Sequence, residues 1–281
     1  MAHTTHDFDW ATMADRLERE ADLFLPVFAD TAEWARSVVP DIRRVYDVGS
    51  GPGGAALAFA RAFPSAEVVA VDGAAPLLDR ARERAAREGR AVRTHLGDLP
   101  DCLADLEPAD LIWISRAVHH VGDQQAVLDA LARLLRPGGV LAVVEGGLPT
   151  RFLPRDIGIG RPGLQARVDV ATEAWFTEMR AALPDTVTTV EDWPALLARA
   201  GLVSGAVRGV LINRPAPLDL PTRQILRDTL RQTLDHAGDL LDAEDRATLA
   251  ALTDPDSPAG ILRRPDAFYL SAVTVYTGQA S

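Results

Sequence analysis

Short apolar runs alternate with segments of helical periodicity through the middle of the chain. Five apolar runs have the length of β-strands: 45–48, 67–72, 91–95, 110–115 and 140–145. The segments with helical spacing between them cover 55–63, 77–87 and 124–135. Strands that alternate with helices are typical of a parallel sheet covered by helices on both faces. The pattern therefore predicts an α/β fold with a doubly wound sheet.

Helical periodicity also precedes and follows this alternating region. Residues 7–38 predict two helices, separated at Pro26 because proline interrupts helical hydrogen bonding. Further along, helices are predicted at 170–183, 193–200, 222–241 and 243–252, and two more strands at 203–212 and 268–276. The Arg/Glu mixture of the 77–87 helix is expected to be a solvated face.

These elements divide the chain into regions with different expected roles. We expect a helical N-terminal cap, an α/β core, an insertion, and a return to the core that carries a second helical insertion. The predicted bounds of these regions are 1–44, 45–148, 149–190, 191–281 and, for the second insertion, 213–265.

A glycine-rich turn follows the first strand at Val48. Gly49, Gly51 and Gly53 allow a sharp turn and a close approach of the backbone to a ligand. The helix behind the turn directs its unpaired N–H groups towards that position. Gly49, Gly51 and Gly54 also satisfy the G-x-G-x-x-G dinucleotide fingerprint, so the turn alone leaves two interpretations open. Asp47 favours a cationic ligand, since a carboxylate there would repel a pyrophosphate.

Acidic residues follow the next two strands as well. Asp72 ends the second strand, where it is placed to accept hydrogen bonds from ribose hydroxyls. Its alternative role is to cap the following helix. Gly97-Asp98-Leu99 follows the third strand, and its alternative interpretation is a simple turn without a ligand.

The segment Asp47-Val-Gly-Ser-Gly-Pro-Gly53 resembles motif I of the class I S-adenosylmethionine (SAM) methyltransferases. The turn Leu135-Arg-Pro-Gly-Gly139 before a strand is also common in that family, so residues 45–145 as a whole resemble its core. The resemblance implies a Rossmann-like, seven-stranded sheet with SAM as cofactor and with Asp98 bonded to the adenine amino group. It also implies an N-terminal helix over the pocket, in which Trp10 is a candidate lid residue, with a packing role as its alternative. It implies that these residues bind the cofactor: Asp47, Gly49, Ser50, Gly51, Gly53, Asp72, Gly73, Gly97, Asp98, Leu99, Ser115 and Arg116.

Methyl transfer depends mainly on positioning, with a general base where the acceptor must lose a proton. His119 and His120, just after the fourth strand, are the candidate bases, and a packing role is the alternative for each. Glu145 is a second candidate, with a role as a loop cap as its alternative. Adjacent histidines lack the spacing of helical metal ligands, so no metal site is expected.

The insertion carries four arginines among prolines and glycines. In the methyltransferase family that the core resembles, such an insertion builds the acceptor pocket. These arginines could bind an acidic group of the acceptor, or they could be solvated surface charges. Their positions are Arg151, Arg155, Arg161 and Arg167.

Composition narrows the function classes. The chain has 281 residues and a net charge of −11, and an acidic chain of this kind argues against a nucleic-acid partner. All 29 of its basic residues are arginines, which we attribute to base composition. The lone Cys102, the absence of a long apolar run and the polar N-terminus predict a cytoplasmic protein with no membrane partner. We expect a bacterial-type methyltransferase, monomeric or homodimeric, that acts on a small molecule such as a specialised metabolite. The alternatives are an NAD(P)-dependent oxidoreductase and a SAM-binding protein without methyl transfer.

Overall fold

A computed structural model describes residues 10–281, with side chains from Met13 onward. The side chain of Trp10, the candidate lid residue, lies outside the described part. The helices of the described part are α1 (Trp10–Leu23), α2 (Leu25–Val38), α3 (Gly54–Ala62), α4 (Ala75–Arg87), α5 (Gln124–Arg133), α6 (Leu164–Ala181), α7 (Trp193–Arg199), α8 (Leu220–Ala237) and α9 (Ala243–Thr253). The strands are β1 (Arg44–Val48), β2 (Glu67–Asp72), β3 (Arg93–Leu96), β4 (Ala109–Ser115), β5 (Leu135–Arg151), β6 (Val203–Arg214) and β7 (Tyr269–Gln279).

The seven strands form one sheet in the order β3-β2-β1-β4-β5-β7-β6. β1 pairs in parallel with β2 and β4, and parallel pairing continues outward to β3 and β5. The carboxyl ends of these strands consequently meet at one edge, with Val48 beside Val71 and Ile114. This confirms the predicted α/β class and places the loops after β1, β2 and β4 next to one another.

Side chains of β1 alternate between two apolar layers, as a strand covered on both faces requires. Tyr46 and Val48 belong to a buried cluster formed with α5 and α7, which includes Leu128 and Leu197. On the opposite face, the ring of Trp113 contacts the rings of Phe28 and Phe59, at centroid distances of 5.8 and 5.6 Å. Helices therefore pack on both faces of the sheet.

The N-terminal segment forms the two expected helices, with Pro26 in the first turn of α2. Proline is tolerated there because the first amides of a helix have no internal partner. The interpretation of 77–87 as a purely solvated face is wrong for Arg84, which is only 8% exposed. Arg84 donates to Asp22 of α1 at 2.5 Å, so α4 uses part of its charged face for packing.

The chain divides into two compact units. Unit 1 contains the residues up to Gly146 together with Leu183–Val210 and Val273–Ser281, and unit 2 contains Gly147–Ala182 and Leu211–Ala272. Unit 2 is thus built from two segments that are distant in sequence. The sequence pattern instead predicts two separate insertions, at 149–190 and 213–265.

Several predicted boundaries in this region are wrong. β5 begins at Leu135 rather than at Val140 and continues to Arg151, beyond the predicted end at Glu145. Its extension lies within unit 2, where Ser271 donates to the carbonyl of Leu148.

Two helices also differ from the prediction. α6 begins at Leu164 rather than at Val170, with Gly163 in a left-handed conformation as its N-cap. α8 ends at Ala237 rather than at Leu241. These boundaries depend on contacts or dihedral angles that composition does not reveal.

None of the helices among the described residues combines the length and the apolar character needed to cross a bilayer.

Candidate functional site

The turn after β1 leaves no room for side chains at two positions and open space at a third. A Cβ atom on Gly49 would lie 2.6 Å from Cβ of Ala117, and one on Gly53 would lie 2.6 Å from Cβ of Ala81. Gly51, at φ +53°, has nothing within 4 Å of that position. Gly49 and Gly53 are therefore needed for packing, whereas the backbone at Gly51 has open space in front of it.

Asp47 points from β1 into the protein rather than towards solvent. Its Oδ2 accepts a hydrogen bond of 2.7 Å from the amide of Ala56 in the first turn of α3. A carboxylate at a helix N-terminus interacts favourably with the helix dipole. Asp47 thus connects the end of β1 with the first turn of α3. The sequence motif alone does not indicate this hydrogen-bond partner.

Asp72 links the loop after β2 to the glycine turn. Its Oδ2 accepts from the amide of Gly51 at 2.8 Å, and its Oδ1 accepts from the amide of Ala74 at 2.9 Å. The residue at the N-cap of α4 is Ala74, so Asp72 does not hold the capping position considered above. Each carboxylate oxygen has a second lone pair, which leaves acceptor capacity for hydroxyl groups of a ligand.

Asp98 approaches the same loop from the end of β3. Its side chain is exposed. A Cβ atom on Gly73 would lie 2.4 Å from Asp98 Oδ1, so the Asp98 carboxylate lies directly against the loop after β2. The backbone continues this contact, because Gly97 donates to the carbonyl of Asp72 at 3.1 Å.

The three carboxylates create a negative potential at this edge of the sheet. Burial raises the pKa of Asp47 from 3.8 to about 7, and the charge of Asp72 adds to that effect. Burial also raises the pKa of Asp72, and the nearby charge of Asp98 raises it further. Such a cluster is better suited to a ligand that carries positive charge than to a pyrophosphate.

The loop after β4 is organised by Glu145, which is 4% exposed at the edge of β5. Its Oε1 accepts from the amides of Ala117 and Val118 at 3.1 and 3.0 Å. Its Oε2 lies 2.8 Å from Nδ1 of His119. The predicted loop-capping role of Glu145 is therefore present, and the same carboxylate orients His119.

Arg116 enters this loop in a left-handed conformation, φ +51°, which is unusual for a residue with a side chain. Its amide donates to the carbonyl of Val144 at 2.9 Å. Its guanidinium lies 4.4 Å above the ring of Phe24, within range of a cation–π interaction. Strained backbone of this kind concentrates at functional sites.

A shallow, open groove follows β3. Its walls are formed by His95, Leu96, Gly97, Asp98, Asp101, Cys102 and Asp105. Burial raises the pKa of the Cys102 thiol to about 11, so the thiol stays protonated and is a poor nucleophile. Within residues 10–281, no three His, Cys, Asp or Glu side chains are arranged to hold a metal ion.

Three of the four arginines considered as acceptor clamps are paired with carboxylates inside unit 2. Arg151 donates to Asp169 at 2.5 Å, and Arg167 donates to both oxygens of Asp245, at 2.6 and 2.8 Å. Arg161 also donates to Asp245, at 2.9 Å. These arginines serve the internal structure of unit 2.

The sequence motifs locate the loops but not the contacts between them. The link from Asp72 to Gly51 and the pairing of Glu145 with His119 join residues 21 and 26 positions apart. For the contact between Asp72 and Gly51 the sequence did contain a signal, because acidic residues stand at the ends of successive strands. The second had no local signal, since the order of strands decides which side chains face each other.

Part of this chain is similar in sequence to known proteins. Residues 45–139 match the model of a family described as a methyltransferase domain. The chain is 36% identical over 109 residues to trans-aconitate 2-methyltransferase of Variovorax paradoxus and 40% identical over 127 residues to ubiquinone biosynthesis O-methyltransferase of Xylella fastidiosa. These matches cover 39% and 40% of this chain and 40% and 51% of the relatives, so the chain spans about half of their length or less.

A solved structure of a Bacillus halodurans protein is similar across most of the chain. It superposes with a TM-score of 0.52 and 17% identity, covering 89% of this chain and 99% of that one, which supports the fold alone. The family match, the order of strands and the glycine turn between acidic strand ends agree with one another. Residues 45–139 of this chain therefore match a methyltransferase domain.

Proposed function

We propose that this chain transfers a methyl group from SAM to a small-molecule acceptor. The observation that supports this most strongly is the junction of Gly51 with Asp72. There an open backbone position and a partly buried carboxylate are joined by a hydrogen bond of 2.8 Å. The two relatives named above are, by their names, a methyltransferase of trans-aconitate and one of ubiquinone biosynthesis.

The residues at the carboxyl edge of the sheet would hold the cofactor. In this proposal the remaining lone pairs of Asp72 accept from the ribose hydroxyls, and Asp98 accepts from the adenine amino group. Gly97, Leu99 and Gly73 form the loops around them. The same edge would contribute Gly49, Ser50 and Gly53 from the first turn and Ser115 and Arg116 from the loop after β4.

The acidic cluster would stabilise the positive charge of the bound cofactor. Asp47 and Asp72 both have raised pKa values because they are desolvated and near other carboxylates. A cation at this edge would favour their charged forms. When SAM is bound, it supplies a methyl group attached to a cationic sulfur, which is a good leaving group.

His119 is proposed as the general base, with Glu145 as the residue that positions it. Oε1 of Glu145 already accepts two backbone N–H groups, so the carboxylate acts as an acceptor and Nδ1 of His119 as its donor. The proton on Nδ1 leaves Nε2 as the atom that can take a proton from an acceptor hydroxyl. His120, whose ring centroid lies 4.2 Å from that of His119, is the second candidate.

Isothermal titration calorimetry with S-adenosylhomocysteine (SAH) tests the cofactor directly. We expect saturable binding with one site per chain, and NADH in the same cell as a matched comparison should show no binding. Absence of SAH binding at high concentration would overturn the proposal. Saturable NADH binding would instead favour an NAD(P)-dependent oxidoreductase.

Transfer of a labelled methyl group tests the reaction. SAM with an isotopic label on the methyl group should give a labelled product with at least one member of a panel of carboxylic acids, phenols and amines. SAH binding without transfer to any acceptor would favour a SAM-binding protein that does not methylate.

A further inference from the structure

The turn after β4 ends at Gly122, where a distant segment of unit 1 packs closely against it. A Cβ atom on Gly122 would lie 2.0 Å from the carbonyl oxygen of Pro184 and 2.9 Å from the carbonyl carbon of Asp185. Both of these atoms belong to the backbone, so a side chain at this position would force the segment or the turn to move. The two stretches of backbone therefore fit together only because residue 122 is a glycine.

A hydrogen bond joins the same two stretches. The amide of Val187 donates to the carbonyl of Gly122 at 3.2 Å. We call residues 184–187 the brace. The sequence assigns these residues to the insertion at 149–190, whereas the structure places them in unit 1, against the turn that carries His119.

Backbone strain occurs at both ends of this turn. Among residues 10–281, two residues other than glycine have a positive φ, Arg116 at +51° and Asp185 at +52°. Arg116 begins the turn, and Asp185 lies against its end at Gly122. Such conformations are costly and persist where the surrounding structure determines them. The side chain of Asp185 is exposed, so its burial does not explain the strain.

His119 lies between two attachments of the turn. At the beginning of the turn, Glu145 accepts from the amides of Ala117 and Val118. The other carboxylate oxygen of Glu145 lies 2.8 Å from Nδ1 of His119. At the end of the turn, the brace contacts Gly122. A displacement of Gly122 would move the backbone of His119 while Glu145 stays on β5, so the ring would lose its partner.

We propose that the brace positions the ring of His119 against Glu145 and that Gly122 is the positioning residue through which it acts. The brace touches neither cofactor nor acceptor in this proposal, and its effect reaches the reaction through His119 alone. That catalytic consequence rests on the proposed function, since it needs His119 as the general base. The positioning of the ring itself does not depend on any reaction.

Two substitutions of the exposed Asp185 separate its backbone from its carboxylate. In Asp185→Pro the ring fixes φ near −65°, so the observed conformation is out of reach. Asp185→Gly removes the same carboxylate but adopts a positive φ readily. Gly122→Ala disturbs the contact from the other side. Its control is Gly209→Ala, because Gly209 also lacks a positive φ and has nothing within 4 Å of a Cβ atom.

Three measurements on each protein test the proposal. The ¹⁵N chemical shifts of the His119 ring, at a pH where the ring is neutral, report which nitrogen carries the proton. Calorimetry gives the SAH affinity, and turnover of an acceptor found with labelled SAM gives kcat and KM. Hydrogen exchange of the β1 and β4 amides reports whether each variant keeps its fold.

We expect the Nδ1–H tautomer of His119 to predominate in the wild type, Asp185→Gly and Gly209→Ala. Asp185→Pro and Gly122→Ala should give a mixture of tautomers. They should also lower kcat at least about tenfold, with SAH affinity unchanged within about twofold, because the base and not the cofactor site is misplaced.

Unchanged tautomers in folded Asp185→Pro and Gly122→Ala would overturn the brace. An equal loss in Asp185→Gly would also overturn it, since the carboxylate and not the backbone would then be responsible. If either disruptive variant loses the protection of β1 and β4, Asp185→Val decides, because a β-branched residue disfavours positive φ without excluding it.

The two proposals can fail separately. If SAH does not bind, or no acceptor is methylated, the proposed function fails and the catalytic consequence of the brace fails with it. The His119 tautomers in the unliganded proteins still decide whether the brace positions the ring.

Discussion

Asp72 accepts a hydrogen bond of 2.8 Å from the amide of Gly51, which joins the acid at the end of β2 to the turn after β1. The carboxylate thereby fixes the backbone at the one glycine of the turn that has open space in front of it. Because the same carboxylate also accepts from Ala74, a single side chain determines the relative position of two loops. The first two predictions concern these two residues.

Alanine substitutions should separate packing glycines from the ligand-facing glycine. Gly49→Ala meets Ala117 and should lower stability by more than 2 kcal/mol, since strain and a close contact add. Gly51→Ala should cost about 1 kcal/mol of stability, because only its left-handed backbone is strained. It should nevertheless weaken SAH binding at least about tenfold, or about 1.4 kcal/mol.

Gly89→Ala is the matched control for this pair of glycines. Its φ of +63° is like that of Gly51 and it also has nothing within 4 Å, but it follows α4 outside the site. Thermal unfolding and calorimetry measure the two effects. Equal SAH affinities for Gly51→Ala and Gly89→Ala would contradict the assignment of Gly51.

Asp72→Asn should weaken SAH binding by about 1–3 kcal/mol, because an acceptor oxygen is replaced by an amide that donates. Calorimetry at neutral pH gives the affinity directly. Asp79→Asn, an exposed carboxylate on α4 paired with Arg82, is the control and should bind like the wild type. An unchanged affinity in Asp72→Asn would refute the ribose-binding role.

Because of buried Asp47, the fold should lose stability as the pH rises from about 4 to about 7. The pKa of Asp47 is raised from 3.8 to about 7 in the folded chain, so the folded state holds a proton that the unfolded state has lost. The free energy of unfolding therefore falls as the pH increases between these values. The difference between the two pKa values sets an upper limit of about 4 kcal/mol on this loss of stability.

The variant Asp47→Asn keeps an oxygen for the amide of Ala56 and removes the titration. Urea unfolding of both proteins between about pH 4 and 8 measures the difference, with the wild type losing stability relative to the variant. Parallel pH profiles would show that Asp47 titrates normally.

Glu145→Gln should impair catalysis by removing the acceptor for Nδ1 of His119. The amide can still accept from Ala117 and Val118, but its NH₂ group would face Nδ1 and favour the tautomer with the proton on Nε2. We expect kcat to fall by about 10²-fold and the acidic limb of its pH profile to change. Glu191→Gln, whose carboxylate accepts from Gln124 at 3.1 Å, is the control. A retained pH profile with lower stability alone would indicate a purely structural role.

Asp245 should stabilise unit 2 at neutral pH. The hydrogen bonds and charge of Arg167, together with Arg161, lower its pKa below the ordinary 3.8. Its contribution is therefore present above that value and is lost as the pH falls below it. Asp245→Asn should cost about 3 kcal/mol at pH 7, since it leaves a partly buried arginine without its charged partner.

Urea unfolding near pH 7 and near about pH 2 measures this difference, which should be smaller at the lower pH because Asp245 is then protonated in the unfolded chain and increasingly in the folded one. Asp239→Asn, a fully exposed carboxylate 3.8 Å from Arg246, should change stability by less than about 0.5 kcal/mol. If Asp245→Asn is as stable as the wild type, the ion pairs of Asp245 with Arg161 and Arg167 do not stabilise unit 2.

The sequence by itself determined the α/β class, the turn after Val48 and the acids at the ends of β1, β2 and β3. These features are local: apolar periodicity, glycine conformation and strand length act within a few residues. The boundaries of the elements from β1 to α5 were close to those observed, and the order of motifs indicated the methyltransferase domain that residues 45–139 match.

Only the tertiary structure decided which of these residues meet. The order of strands places Glu145 opposite His119, and the packing of the whole chain brings two distant segments together as unit 2. The tertiary structure also pairs the arginines of α4 and of the insertion with carboxylates that could not be identified from the sequence. Charged side chains attract over any sequence separation, so their partners follow from the packing of the whole chain rather than from local pattern.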